Sequence, residues 1–349
     1  MERTNKPDSL SSQMKRKPTI AVKEKKSHDG NFKTIISTGS TLLDLAISGG
    51  QIRGGGLPGG ILVEIFGPSG TGKTVLLCEI AGGIQRKKGD IMFHDPEGRL
   101  NKQFARMFDL DTDSIEYTMP DTVTEVFASI KNWEPKGTKI NGICTDSLAA
   151  LSTEMEMEKD EGDKMGMRRA KEFSEGLRKL CRHITKTNLL MVASNQVRVN
   201  VDAGAYGQKY TTPGGEAIGF YASVRLRMNR AEKIKKEVKV AGKVVKQYIG
   251  IEVLVEVFKN SVWKPYHTAT VIILFDYGID DIRANLQYIK DFTKNTTYTV
   301  DDIKVGNSME EAIKYVEMNE LAEKLKDQVI DLWESIESKF ETERKPKQR

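Results

Sequence analysis

The sequence predicts an α/β chain with a mostly parallel central sheet flanked by helices and a small helical region at the C-terminal end. Three observations predict it. Four apolar strand candidates alternate with helix-like segments; the run Gly67-Pro68-Ser69-Gly70-Thr71-Gly72-Lys73-Thr74 joins the first of these strands to a helix; and helical periodicity sets in from Ser308 to Phe340. Strands separated by crossover helices pair in parallel, because a parallel neighbour cannot be reached through a short hairpin.

Length and charge bound the reading. With 349 residues the chain can hold one large core with appendages, or two domains. The expected division is an arm over 1–34, a core over 35–282 and a helical region with a basic tail over 283–349. A hydrophobic content of 38% without a long uncharged apolar run argues against a membrane span. The start Met1-Glu2-Arg3-Thr4 lacks an apolar signal core, so a cytoplasmic protein is expected. Cys78, Cys144 and Cys181 are widely spaced in apolar surroundings, which suits a reducing compartment and suggests neither a metal cluster nor a disulfide framework.

Taken in order, residues up to about 33 are polar and aperiodic, and read as a disordered arm. Nine basic residues against four acidic ones through residue 36 place most of the net charge of +5 there. Thr19-Ile20-Ala21-Val22 is an apolar exception that could pair with a sheet edge of another copy. Leu62–Phe66, Asp90–His94, Ile140–Thr145 and Leu189–Ser194 are buried-type strands, each followed by polar or glycine-rich residues. Ile234–Val240, Lys243–Ile249 and Ile251–Phe258 read as antiparallel strands with a tight turn at Ala241-Gly242. Ser308-Met309-Glu310-Glu311 spells a capping box, and Leu321, Leu325, Val329, Leu332, Trp333, Ile336 and Phe340 form the stripe that follows.

Chemistry gathers at the ends of the four strands. Glycines in the 67–74 run let backbone N–H groups turn toward an anion, and the helix opening near Lys73 aims its positive end at the same point. The full pattern binds a nucleoside triphosphate, with Lys73 on the β- and γ-phosphates and Thr74 on Mg²⁺. Asp146, after the third strand, suits a carboxylate that organises Mg²⁺ directly or through water. Glu97 is the candidate for orienting or deprotonating the attacking water, with Asp95 as its rival; His94 reads as structural.

Several stretches make a more specific resemblance. Ile36-Ser37-Thr38-Gly39-Ser40, Leu57-Pro58-Gly59-Gly60, Asp146-Ser147-Leu148-Ala149-Ala150-Leu151, Asn195-Gln196-Val197-Arg198 and Phe220-Tyr221-Ala222-Ser223-Val224-Arg225-Leu226 occur in the order found in the bacterial RecA recombinase family. The resemblance runs from about Ile35 to Gly278. It implies a RecA-type P-loop ATPase core that forms helical filaments on single-stranded DNA, pairs it with a homologous duplex and exchanges strands, using ATP and Mg²⁺.

The same resemblance assigns roles residue by residue. Glu97 matches the water-activating glutamate, and Gln196 the glutamine that senses the γ-phosphate. Phe104 matches an aromatic stacked on adenine, and Tyr277-Gly278 a second adenine contact. Two segments, Glu156 to about Met167 and Val197 to about Gly215, resemble mobile DNA-binding loops; Met165, Arg168, Arg169, Arg198, Tyr206, Gly207, Lys209, Gly214 and Gly215 are the DNA-contact candidates. Lys259 matches the first of two lysines that reach a neighbouring subunit's nucleotide, whereas Ser261 replaces the second; Lys264 is a nearby substitute. A single-strand-binding protein and loading factors are implied partners. The competing readings are a ring-forming hexameric helicase on the same core and a nucleotide-switched filament scaffold. The Asn195–Arg198 and Phe220–Leu226 segments weigh against the helicase.

Overall fold

In the computed structural model the described residues run from 34 to 344, except 109, 138, 153–164, 200–209, 212–215, 230–231 and 294. They fall into two units, Thr34–Asp280 and the residues from Asp281 onward. The N-terminal arm with Thr19–Val22, and the tail from Lys345, lie outside the described residues.

The first unit opens with β1 (Ile35–Ile36), which pairs antiparallel with β2 (Leu57–Pro58) across α1 (Thr41–Ser48). Ser40 starts the helix by accepting the Leu43 N–H on its side chain. Asp44, buried in the first turn, accepts hydrogen bonds from Ser37 Oγ at 2.5 Å, Thr38 N at 2.7 Å and Thr38 Oγ1 at 2.8 Å. A buried carboxylate needs such donors, which accounts for the hydroxyl-rich spelling of residues 37–40.

Next come β3 (Leu62–Gly67), α2 (Lys73–Arg86), β4 (Ile91–His94), α3 (Lys102–Met107), β5 (Ile115–Thr118), α4 (Val123–Asn132), β6 (Gly142–Thr145), α5 (Met165–Thr187) and β7 (Leu190–Gln196). A two-stranded ribbon of β8 (Arg198–Val199) and β9 (Tyr210–Thr211) follows, then α6 (Glu216–Tyr221) and β10 (Val224–Met228). In space β5, β4, β6, β7, β3 and β10 run parallel in that order. The four expected strands are β3, β4, β6 and β7, with ends moved by a residue or two.

Fully buried strands explain the uninterrupted apolar runs, since helices cover both faces of a parallel sheet. On one face Leu62, Met92, Ile143 and Met191 pack against Val126 and Ile130 of α4 and Phe173, Leu177, Leu180 and Ile184 of α5. The α5 positions recur at helical spacing, so one stripe of an otherwise polar helix makes the contact. α2 buries Leu76, Ile80 and Ile84. Gly142 lies against it: a Cβ there would come within 2.3 Å of Ile84 Cδ1.

The sheet continues antiparallel through β12 (Lys243–Asn260), β13 (Thr268–Leu274) and β14 (Gly278–Ile279), and β11 (Glu232–Val240) pairs with β12. The two strands expected at 243–249 and 251–258 are thus one strand of 18 residues. Gly250 marks no break; its Cα faces β13 so closely that a Cβ would stand 2.4 Å from the Ile273 carbonyl oxygen. Beyond the sheet, residues 235–248 pair only with each other and are exposed on both faces.

In the second unit α7 (Asp281–Phe292) precedes a hairpin of β15 (Tyr298–Val300) and β16 (Ile303–Gly306), then α8 (Met309–Met318) and α9 (Ala322–Glu337). The capping box forms as read: Ser308 Oγ accepts the Glu311 N–H, and Glu311 accepts the Ser308 N–H. The helical stretch from 308 is two helices, broken where Glu320 takes a left-handed φ of 53°. Leu325, Val329, Leu332 and Trp333 are buried, whereas Phe340 at the end of the stripe is exposed. The hairpin was not expected; its strands of three and four residues are too short to declare a period.

Candidate functional site

Parallel order sets the site. Side by side at the carboxyl ends of β4, β6, β7 and β3 stand Glu97, Asp146, Gln196 and the loop Gly67–Gly72, the place where open parallel sheets hold ligands. Register makes this concrete: His94 lies opposite Thr145, Thr145 opposite Ala193, and Gly67 opposite Gln196.

The loop is a chain of positive-φ glycines ending in a helix. Gly67, Gly70 and Gly72 have φ of 159°, 75° and 85°, and the last two are in the left-handed region that glycine favours. A Cβ on Gly67 would come within 2.2 Å of the Met228 carbonyl oxygen, so close strand approach demands glycine there as well. Thr71 Oγ1 donates to the Pro68 carbonyl at 2.9 Å, closing the loop from within. α2 then begins at Lys73 without a side-chain cap, leaving its first N–H groups to an anion.

Lys73 Nζ donates to the carbonyls of Gly67 at 3.0 Å and Pro68 at 2.7 Å. Burial holds its ammonium below the ordinary lysine range, and the negative charges of Asp146 and Glu97 offset part of that. Thr74 Oγ1 donates to Asp146 Oδ2 at 2.6 Å, and Ser194 Oγ donates to Asp146 Oδ1. A hydroxyl and a carboxylate in contact form a hard-oxygen pair that fits Mg²⁺, an ion that takes few protein ligands and keeps waters and phosphate oxygens for the rest. No cluster of three or more His, Cys, Asp or Glu able to hold a metal occurs among the described residues.

Asp95 and Glu97 separate cleanly. Asp95 is buried and its Oδ2 accepts from Leu100 N at 2.7 Å and the Tyr117 hydroxyl at 2.9 Å. Burial and that bond push the Tyr117 phenol up to about 12. Asp95 therefore ties the loop, while Glu97 carries the carboxylate next to Asp146 and its successor: Ser147 Oγ donates to Glu97 Oε1 at 3.2 Å, and Arg99 Nη1 lies 2.6 Å from Glu97 Oε2. His94 is buried between Thr145 Oγ1 at 3.3 Å and Ser129 Oγ at 2.8 Å, a structural position.

Gln196 is exposed at the end of β7, and the residue before it is locked. Asn195 Nδ2 donates to Glu64 Oε1 at 3.0 Å, Arg225 Nε donates to Glu64 Oε2 at 2.5 Å, and Asn195 Oδ1 accepts the Gln196 N–H at 3.0 Å. The Arg225 guanidinium also lies over the Phe66 ring, 4.6 Å from its centroid. This network, together with Ser147, Ser194 and the exposed Arg99, contacts the expected site residues without having been assigned a role from sequence. Ser147, Asn195 and Arg225 lie in segments that carry the family resemblance, whereas Ser194 and Arg99 had only adjacency to assigned residues as a signal.

The remaining expected residues are more scattered. Lys259 Nζ donates to the carbonyls of Gly219 at 2.9 Å and Phe220 at 2.7 Å, at the C-terminal end of α6, where a cation is favoured by the exposed carbonyls. Ser261 N donates to Ser223 O at 2.8 Å, and Lys264 Nζ lies 4.9 Å from the centre of the Trp263 ring. Gly278, with φ of 101°, sits beside α2, where a Cβ would meet Glu79 Oε1 at 2.6 Å; Tyr277 is exposed. Phe104 lies on α3, with its side chain outside the described atoms. Met165, Arg168 and Arg169 begin α5 and Arg198 begins β8, again without described side chains; Tyr206, Gly207, Lys209, Gly214 and Gly215 lie outside the described residues.

A model of the RecA N-terminal domain matches residues 13–280. Protein RecA of Wolbachia pipientis subsp. Culex pipiens (strain wPip) is 32% identical over 321 residues, covering 90% of this chain and 85% of that protein. Protein RecA of Delftia acidovorans (strain DSM 14801 / SPH-1) is 32% identical over 304 residues, covering 85% and 78%. A solved RadB recombinase has the same fold at a TM-score of 0.50, with 19% identity, over 71% of this chain and 100% of that one. A family model spanning most of the chain, together with relatives above 30% identity matched over more than three quarters of their length, shows that the chain belongs to the RecA family.

Proposed function

We propose that the chain is an ATP-switched recombinase that polymerises on single-stranded DNA, pairs it with a homologous duplex and exchanges strands. The observation that carries this reading is the convergence of Lys73, Thr74, Asp146, Glu97 and Gln196 at one end of a parallel sheet in a RecA family chain. Loop N–H groups and Lys73 would hold the phosphates, and Thr74 and Asp146 would hold Mg²⁺, which when bound neutralises charge on the phosphate oxygens. Glu97, one oxygen of which is steadied by Ser147, would take the proton of the water that attacks the γ-phosphorus as the bond to the bridging oxygen breaks. Lys259 would act on a neighbouring copy's nucleotide.

Base pairing would supply sequence specificity, so the protein needs only backbone contacts and stacking in its glycine-rich segment around 203–215. No described helix is long and apolar enough to cross a membrane. The reading places the chain in the cytoplasm of a bacterial or phage-infected cell.

Strand exchange by wild type, Lys73→Ala and Glu97→Ala tests this reading. The expected result is exchange by wild type, none by Lys73→Ala, and exchange without turnover by Glu97→Ala. ATP-dependent DNA binding by a wild type that never pairs homologous strands would sink it.

A further inference from the structure

We propose that Arg99 is an exchangeable counter-ion for Glu97: it sits on the carboxylate in this structure and moves to the phosphates of a bound nucleoside triphosphate, freeing Glu97 for water. The inference rests on the reading of Glu97 and the 67–74 loop as one nucleotide site. It adds a second cation of the same chain to that site.

Geometry brings the two side chains together. Glu97 and Arg99 ride a single turn whose backbone is pinned at both ends: Asp95 O accepts the Gly98 N–H at 3.0 Å, and Asp95 Oδ2 accepts the Leu100 N–H at 2.7 Å. Gly98 at the apex has a φ of 62°, which a glycine adopts without strain. Arg99 Nη1 thereby lies 2.6 Å from Glu97 Oε2. Ser147 Oγ donates to Oε1 at 3.2 Å, whereas Oε2 is buried and accepts no hydrogen bond, with the Arg99 guanidinium lying against it as an ion pair. A water reaches that buried oxygen only when a group lying against it moves, so one partner has to leave before Glu97 works.

Exposure indicates which partner leaves. Ser147 follows Asp146 directly and is buried, whereas the Arg99 side chain is 77% exposed against 16% for Glu97. An ion pair with one member in water contributes about 0–1 kcal/mol, so separating it costs little. A triphosphate carries more charge than one carboxylate, and its oxygens match the two-pronged donor face of a guanidinium. Glu97 and the phosphates therefore compete for one cation. Arrival of the nucleotide would release the base at the moment a substrate is present.

Competition of this kind is read by affinity in a double-mutant cycle on the full chain, using an ATP analogue with a nonhydrolysable imido bridge. Glu97→Gln removes the competitor and is expected to tighten analogue binding about two- to fivefold, the scale of an exposed ion pair. In the Arg99→Ala background the same change is expected to have no effect. Arg99→Ala alone is expected to weaken the analogue and to lower kcat about a hundred- to a thousandfold, as loss of one donor that stabilises transition-state charge does; Arg99→Lys should recover part of both. Thermal melting checks that the exposed substitution leaves the fold intact. An equal Glu97→Gln effect in both backgrounds, or a wild-type kcat in Arg99→Ala, overturns the proposal. Hydrolysis at the wild-type rate by Glu97→Gln would instead overturn the role of Glu97, and the affinity cycle is read without it.

Discussion

His94 shows how a residue can sit beside a reactive site and serve only the fold. Its ring is buried between two hydroxyls, and burial lowers its pKa from the ordinary 6.5 to about 4. The unfolded chain therefore binds the proton more readily than the folded one, and stability falls as pH drops through 6.5 toward 4. Between pH 7.5 and pH 5 that linkage is worth about 2 kcal/mol. His94→Gln keeps hydrogen-bonding capacity toward Ser129 and Thr145 without titrating, so its urea midpoint should fall less between pH 7.5 and pH 5 than that of wild type. An identical fall in both proteins would mean that other groups carry the acid sensitivity.

At the scale of elements, the outer part of the β11–β12 ribbon stands apart, its residues 235–248 pairing only with each other among the described strands. Residues 235–248 are exposed on both faces and held by local contacts: Lys233 and Lys235 lie 5.0 and 5.6 Å from the Tyr248 ring centre, and Lys246 pairs with Glu237 at 2.6 Å. Two strands without a third, or a packed face, are marginal in water. Joining Lys235 to Tyr248, which face each other across the ribbon, through an Asn-Gly turn that suits a two-residue hairpin should therefore change unfolding stability by no more than about 0.5 kcal/mol. A larger loss by urea denaturation would show that the ribbon stabilises the sheet beneath it.

The same elements show what could be read in advance. The loop at 67–74 was legible because strand, turn and helix are consecutive, and Glu97, Asp146 and Gln196 were legible because parallel strands present their carboxyl ends together. β12 was misdivided because a glycine that permits close strand packing at 250 looks, in one dimension, like a turn. Asp95 and Glu97 could not be told apart by spacing; only the burial of one and its bonds to Leu100 and Tyr117 separate them. Ser194 and Arg99 escaped notice because their importance lies in which neighbour they touch.

For the whole molecule, the question is how the proposed nucleotide and DNA sites would communicate, and β7 is the route proposed. Ser194 touches Asp146, Asn195 is fixed to Glu64, Gln196 ends the strand, and Arg198–Val199 then pairs with Tyr210–Thr211 across the proposed DNA segment. A strand held at consecutive residues moves as a unit, so a change at its end is transmitted to the ribbon that follows. Coupling between two ligands is reciprocal: whatever factor ATP adds to DNA affinity, DNA adds to ATP affinity. For wild type, single-stranded DNA should tighten binding of the imido analogue within the usual range of about 5- to 150-fold. Gln196→Ala removes a side chain that is exposed at the strand end, so affinity for the analogue without DNA should change little while the DNA-dependent gain collapses toward unity. Measuring the analogue's Kd in both proteins, with and without DNA, gives the coupling directly. A gain that persists in Gln196→Ala would route the communication away from the end of β7, through the neighbouring copy that Lys259 is proposed to reach.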